Sequence, residues 1–154
     1  MNLQTNRNSF EINLENHVKP INLWEEVLIV EDVPPERSRL EAILTKEGYN
    51  CHTARNGENA LVTFSLNPIG IIICDWRMPI MNGMELLRHV KIESKSCPYF
   101  IMLSGQCAIY DTLAALNSGA DDFIRKPFQV DELKARVEAG SRVIKAYETL
   151  KFSF

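Results

Sequence analysis

A doubly wound α/β domain is the fold this sequence predicts, with five parallel strands in the order 2-1-3-4-5 and helices on both faces. Three observations predict it. Short continuous apolar runs (VLIV at 27–30, IIIC at 71–74, FIML at 100–103) suit strands buried on both sides. Helix-patterned stretches follow such runs five times in succession, as a parallel sheet with crossover helices requires. Each of these runs ends at a polar residue, which suits strands whose carboxyl ends open on a ligand crevice.

The elements follow in order. Val27–Val30 is the first strand. Pro34–Pro35 suit the first turn of a helix, where a missing N–H is harmless. Leu40, Ile43 and Leu44 give that helix its apolar face, and Gly48 stops it. Asn50–Ala54 is a short second strand. Asn56–Gly57 turns the chain into a helix marked by Ala60, Leu61 and Phe64. Pro68 precedes a third strand, Ile69–Cys74, and Gly83 opens a helix with Leu86, Leu87 and Val90 inward. Pro98 leads into the fourth strand, Tyr99–Leu103. Tyr110, Leu113, Ala114 and Leu116 pattern a helix ending at Gly119. Asp122–Ile124 is the fifth strand, and Asp131 begins the last helix.

A chain of 154 residues, 45% hydrophobic and 24% charged, holds one domain with room for tails. Residues 1–22 are polar and Asn-rich and read as a flexible extension. The domain proper is 23–140, and 141–154 prolong the last helix. Apolar runs stay near about five residues, far below the ~20 that a helix needs to cross a bilayer. The N-terminus has no apolar signal core, so the expected compartment is the cytoplasm. Net charge is −3 and no basic stripe stands out, which argues against direct nucleic-acid binding. Cys51, Cys74, Cys97 and Cys107 lack metal-ligand spacing and read as small buried hydrophobes.

In the predicted topology, Glu31–Asp32, Asp75, Ser104 and Lys126 gather at one rim. Asp32 and Asp75 sit side by side where the strand order reverses. Carboxylates crowded in one pocket repel one another, and a hard divalent cation resolves the conflict. A carboxylate is also a competent nucleophile toward phosphorus, and phosphoryl transfer depends mainly on positioning and charge neutralisation. Lys126 supplies a fixed positive charge there and Ser104 a hydroxyl donor. Any one of these residues alone reads as a cap, a turn or a solvated loop; the four strand ends together do not.

These segments closely resemble the receiver domain of two-component response regulators. The matching stretches are VLIVED, CDWRMPIMNG, MLSG and GADDFIRKPF, in family order over 26 to about 140. The resemblance implies a flavodoxin-like fold, with Asp75 as phosphoacceptor. It implies Mg2+ (or Mn2+) held by Asp32, Asp75 and the Arg77 backbone carbonyl, with Glu31 acting through water. Ser104 matches the switch hydroxyl, Lys126 the phosphate-contacting lysine, and Phe123 the aromatic switch position. Lys126–Pro127 matches a peptide bond that is cis in the family. Arg77 and Gln106 occupy variable positions that flank the path of a hydrolytic water, and are expected to set autodephosphorylation more than phosphorylation. The domain then catalyses its own phosphorylation and slow dephosphorylation and is not an enzyme in the turnover sense. The partner is a sensor histidine kinase or phosphotransfer protein. Phosphorylation is expected to alter the face formed by the fourth helix, fifth strand and fifth helix.

The last helix adds a seam. Val143, Tyr147, Leu150 and Phe154 recur at spacings of four, three and four. It reads either as a dimerising or signal-transmitting connector to an output domain, or as a surface packed against the N-terminal extension. The chain itself reads as part of a longer response regulator or as a stand-alone receiver. Two rivals fit less well. A phosphatase forming an aspartyl phosphate resembles a DxD pattern, and Arg77 stands where the second Asp belongs. A flavin module of this fold has a Ser-, Thr- and Gly-rich first loop, where this chain has Glu31-Asp32-Val33-Pro34-Pro35.

Overall fold

The structure, a computed structural model, describes residues 20–93, 97–105, 113–114 and 116–151. Gln106, Cys107, Tyr110, Phe154 and the first nineteen residues of the expected extension lie outside them. A short 3-10 turn, Leu23–Glu25, leads into β1 (Glu26–Val30). There follow α1 (Pro34–Lys46), β2 (Asn50–Ala54), α2 (Gly57–Leu66), β3 (Ile71–Asp75) and α3 (Gly83–Glu93). Then come β4 (Tyr99–Ser104), the helical residues 113–114 and 116–117 (α4), β5 (Asp122–Arg125) and α5 (Val130–Lys151).

The sheet order is β2-β1-β3-β4-β5, all pairs parallel, as the alternation predicts. β1 and β3 are neighbours at the point of reversal, with Val30 opposite Cys74 in register. Every residue of β1 and β3 is buried, which is why both read as unbroken apolar runs. One sheet face carries Leu28, Val30, Ile72, Cys74, Phe100 and Met102 under α2 and α3. The other carries Val27, Ile29, Ile71, Ile73, Ile101, Leu103 and Ile124 under α1 and α5.

Local chemistry sets the boundaries. α1 begins with Pro34–Pro35 and ends where Gly48 takes a φ of 98°. Tyr49 N–H donates to Leu44 O (3.1 Å) and Gly48 N–H to Thr45 O (3.0 Å), the Schellman pair that such a glycine permits. The Asn56 side chain caps α2 by accepting from Asn59 N–H at 2.8 Å.

Several expectations need correction. β3 starts at Ile71, not Ile69: its pairing with β1 and β4 begins there, and Gly70 leads in, its N–H donating to Glu26 O and its carbonyl accepting from Tyr99 N–H. β4 and β5 each extend one residue further, pairing Ser104 with Arg125. α5 starts one residue early, at Val130. Cys97 is exposed rather than buried, since it precedes the first paired residue of β4. Leu113 and Leu116, which pattern the helix, are about half exposed. Just past the described part of α4, the Ser118 hydroxyl donates to Met84 Sδ of α3 (3.3 Å).

Candidate functional site

Parallel strands deliver their last residues to one rim. Glu31 follows β1, Asp75 closes β3, Ser104 closes β4 and Lys126 follows β5. Glu31, Asp75 and Ser104 are buried, while Asp32 is half-buried. Glu31, Asp32 and Asp75 each present a carboxylate oxygen, all within 4.8 Å of one another. The three predicted carboxylates therefore meet as expected. Ser104 O accepts from Lys126 N–H at 2.7 Å, which ties the ends of β4 and β5 together. The Lys126–Pro127 bond is cis, as the resemblance implies.

The Lys126 ammonium is the cationic centre. Its Nζ lies 3.1 Å from Glu31 Oε2, 3.0 Å from Glu36 Oε2 and 3.4 Å from Asp75 Oδ2. Burial works against its charge, but the Glu36, Asp75 and Glu31 carboxylates outweigh that and hold it well above the usual lysine range. Burial, then the Asp75 charge, pushes Glu31 up to about 7 even with Lys126 beside it. Burial also raises Asp75, against the pull of Lys126 and with further repulsion from Asp32 and Glu36.

So the pocket carries more negative charge than its one ammonium balances. A compact, oxygen-only donor set with that excess fits a hard divalent cation such as Mg2+. Asp75 keeps a partly accessible side chain, and the Lys126 ammonium 3.4 Å away favours its ionised carboxylate.

Phe123 is half-buried and lies opposite Met102 in the β4–β5 register. Its ring meets that of Trp76 edge-on, with centroids 6.3 Å apart and planes at 74°. Arg77 is exposed on the loop that leaves β3. In that loop Ile80 has a φ of 73°, and Gly83 N–H donates to Trp76 O at 2.8 Å. A Cβ at Gly83 would fall 2.7 Å from the Asp75 carbonyl oxygen, so glycine is what lets the loop close under the site. His52 is remote from the rim, paired with Glu26 at 2.8 Å near the opposite end of the sheet.

Sequence reasoning missed Glu36 and Trp76. Glu36 lies 90 residues from Lys126, and only the predicted first turn of α1 hinted that it faces the crevice. Trp76 follows Asp75 directly and read as loop.

The sequence model of the response regulator receiver domain matches residues 27–138. Response regulator ArlR of Staphylococcus aureus is 38% identical over 114 residues, which cover 74% of this chain and 51% of that protein. The chain spans about half the length of the curated relatives it matches. Among solved structures, the signal receiver domain of a signal transduction histidine kinase from Syntrophus aciditrophicus has a TM-score of 0.73 at 35% identity. That match covers 79% of this chain and 92% of the other. A probable two-component system response regulator/GGDEF domain protein also has a TM-score of 0.73, at 30% identity, over 78% of this chain and 50% of its own. Among the described residues, no helix is long and apolar enough to cross a membrane.

Proposed function

The chain belongs to the response regulator receiver domain family, and from that premise we propose that it is a phosphorylation-activated switch with Asp75 as phosphoacceptor. The observation that carries this reading is the meeting of Glu31, Asp32 and Asp75 within 4.8 Å, with the Lys126 ammonium 3.4 Å from Asp75.

An Asp75 carboxylate oxygen attacks the phosphorus of a phosphohistidine on a partner kinase or phosphotransfer protein. The P–N bond breaks, and its electron pair leaves on the imidazole nitrogen. Lys126 meets the negative charge spread over the phosphoryl oxygens. Asp32, Asp75 and the Arg77 carbonyl, with Glu31 beside them, would hold Mg2+ (or Mn2+), which supplies charge neutralisation when bound. The Ser104 hydroxyl donates to a phosphoryl oxygen, and its movement lets Phe123 turn inward against Trp76. The face formed by α4, β5 and α5 then changes, a two-state element biased by a local charge. Hydrolysis ends the signal: a water oxygen attacks phosphorus, the bond to Asp75 breaks, and inorganic phosphate leaves. Arg77 and Gln106 set that rate. The partner reading is a histidine kinase upstream and an output domain or partner protein downstream.

Acetyl phosphate with Mg2+ tests the acceptor. Wild-type protein should take up one phosphoryl group, and Asp75→Asn none. Omission of Mg2+ or the change Asp32→Asn should slow uptake by at least about tenfold, as expected for loss of a metal ligand or its support. Stoichiometric labelling of Asp75→Asn would refute the assignment.

A further inference from the structure

We propose that Glu36 is a latch for Lys126, a positioning residue that holds the ammonium across the mouth of the site until a phosphoryl oxygen replaces it. The inference rests on the reading of Asp75 as phosphoacceptor and adds a determinant of how easily that site accepts a donor.

An ammonium has three N–H donors. Those of Lys126 face three carboxylates, Glu31 at 3.1 Å, Glu36 at 3.0 Å and Asp75 at 3.4 Å, so the group has no donor left for an incoming anion. One partner must give way. Glu31 is fully buried, and its second oxygen already accepts from Val33 N–H at 3.2 Å. Asp75 is the atom group being modified. Glu36 is different, with its side chain 51% exposed on the first turn of α1. It returns to water at little cost, because exposed ion pairs are weak.

The local backbone explains why Glu36 is free for this task. A glutamate three residues past an N-cap commonly folds back onto the cap N–H. Here the cap is Val33, whose side chain makes no capping bond, and its N–H is taken by Glu31. The Glu36 carboxylate instead reaches across to the loop after β5. It lines a cavity of about 380 Å3 with Glu31, Arg39, Gly105 and Lys126, beside Asp75. A carboxylate there both occupies Lys126 and repels an anionic donor. Its release is one contribution to the barrier against small phosphodonors.

Glu36→Gln, Glu36→Asp and Glu41→Gln test the latch, with Asp75→Asn as reference. Glu41 is exposed on the same helix and removes one charge without touching Lys126. Acetyl phosphate is titrated with Mg2+ and the initial labelling rate followed. Glu36→Gln should reach its half-maximal rate at about three- to fivefold lower donor concentration, the scale of one exposed ion pair. Glu36→Asp, too short to bridge, should follow it, and Glu41→Gln should match wild type. Without metal or donor, the Lys126 13Cε and 15Nζ resonances should shift in both Glu36 variants and stay in place in Glu41→Gln. Unchanged resonances and donor dependence in the Glu36 variants would overturn the latch, and so would an equal gain in Glu41→Gln. If Asp75→Asn remains unlabelled in that case, the receiver reading stands; if it labels like wild type, that reading fails first.

Discussion

In the proposed switch, the contact of Trp76 with Phe123 is the route from Asp75 to the side of the molecule. Trp76 is covalently next to Asp75, and its ring meets Phe123 edge-on at 6.3 Å. The chain has two tryptophans, and Trp24 lies with α5, its carbonyl bonded to the Ser141 hydroxyl at 2.7 Å. Phosphorylation should therefore change tryptophan emission in the wild type. The change should vanish in Trp76→Phe and shrink in Phe123→Ala, as stopped-flow fluorescence with acetyl phosphate would show. The gathering of the polar groups at one rim was legible residue by residue. Glu31, Asp32, Asp75, Ser104 and Lys126 each end an apolar run, and strand ends are what a parallel sheet brings together. Glu36 and Trp76 were not, because a helix-turn carboxylate and a loop aromatic acquire meaning only from partners far away or folded back.

At the scale of elements, the loop from β3 to α3 combines a positive φ with a close backbone approach. Ile80, a β-branched residue, sits at a φ of 73°, and the strain is held by a well-packed frame: Gly83 N–H on Trp76 O and Met78 buried in the core. Gly83→Ala would place a methyl 2.7 Å from both the Asp75 carbonyl oxygen and Met102 Sδ. It should cost about 1–3 kcal/mol in denaturant melts, and it should slow labelling because Asp75 moves with its carbonyl. Element type and order were readable throughout, since β1 and β3 are fully buried and α1 carries both its proline start and its glycine stop. The described part of α4 is helical as its pattern predicts, yet Leu113 and Leu116 are about half exposed. Periodicity marks the face a helix offers, not whether anything covers it.

At the scale of the whole molecule, the site lies at the carboxyl ends of the strands, and α5 runs from that rim to the opposite end. Leu133, Val137, Gly140 and Ile144 are its buried line. Gly140 lies so close to the Tyr99 ring that a Cβ there would collide with it, which brings α5 hard against the start of β4. On one flank, Ser141 and Lys145 take up Trp24, whose ring lies 5.6 Å from the Lys145 ammonium. On the other, Val143, Tyr147 and Leu150 stand more than half exposed. These three form an exposed apolar stripe on the flank away from Trp24. If it mediates self-association, Tyr147→Glu with Leu150→Glu should convert a concentration-dependent dimer to a monomer in sedimentation velocity while leaving labelling by acetyl phosphate unchanged.

The tight packing at Gly140 has a mechanical consequence. Past Ile144 no residue of α5 is buried, and among the described residues its last two turns meet the rest of the domain through Lys145 on the Trp24 ring. The stretch from Gly140 to Lys151 is about 16 Å long at 1.5 Å per residue. With Gly140 as fulcrum, a tilt of about 10° carries the tip through roughly 3 Å on that length. Val130 lies about 15 Å from Gly140 on the other side of that fulcrum, so a displacement of the helix start at the rim returns at the far end with nearly the same size and the opposite direction.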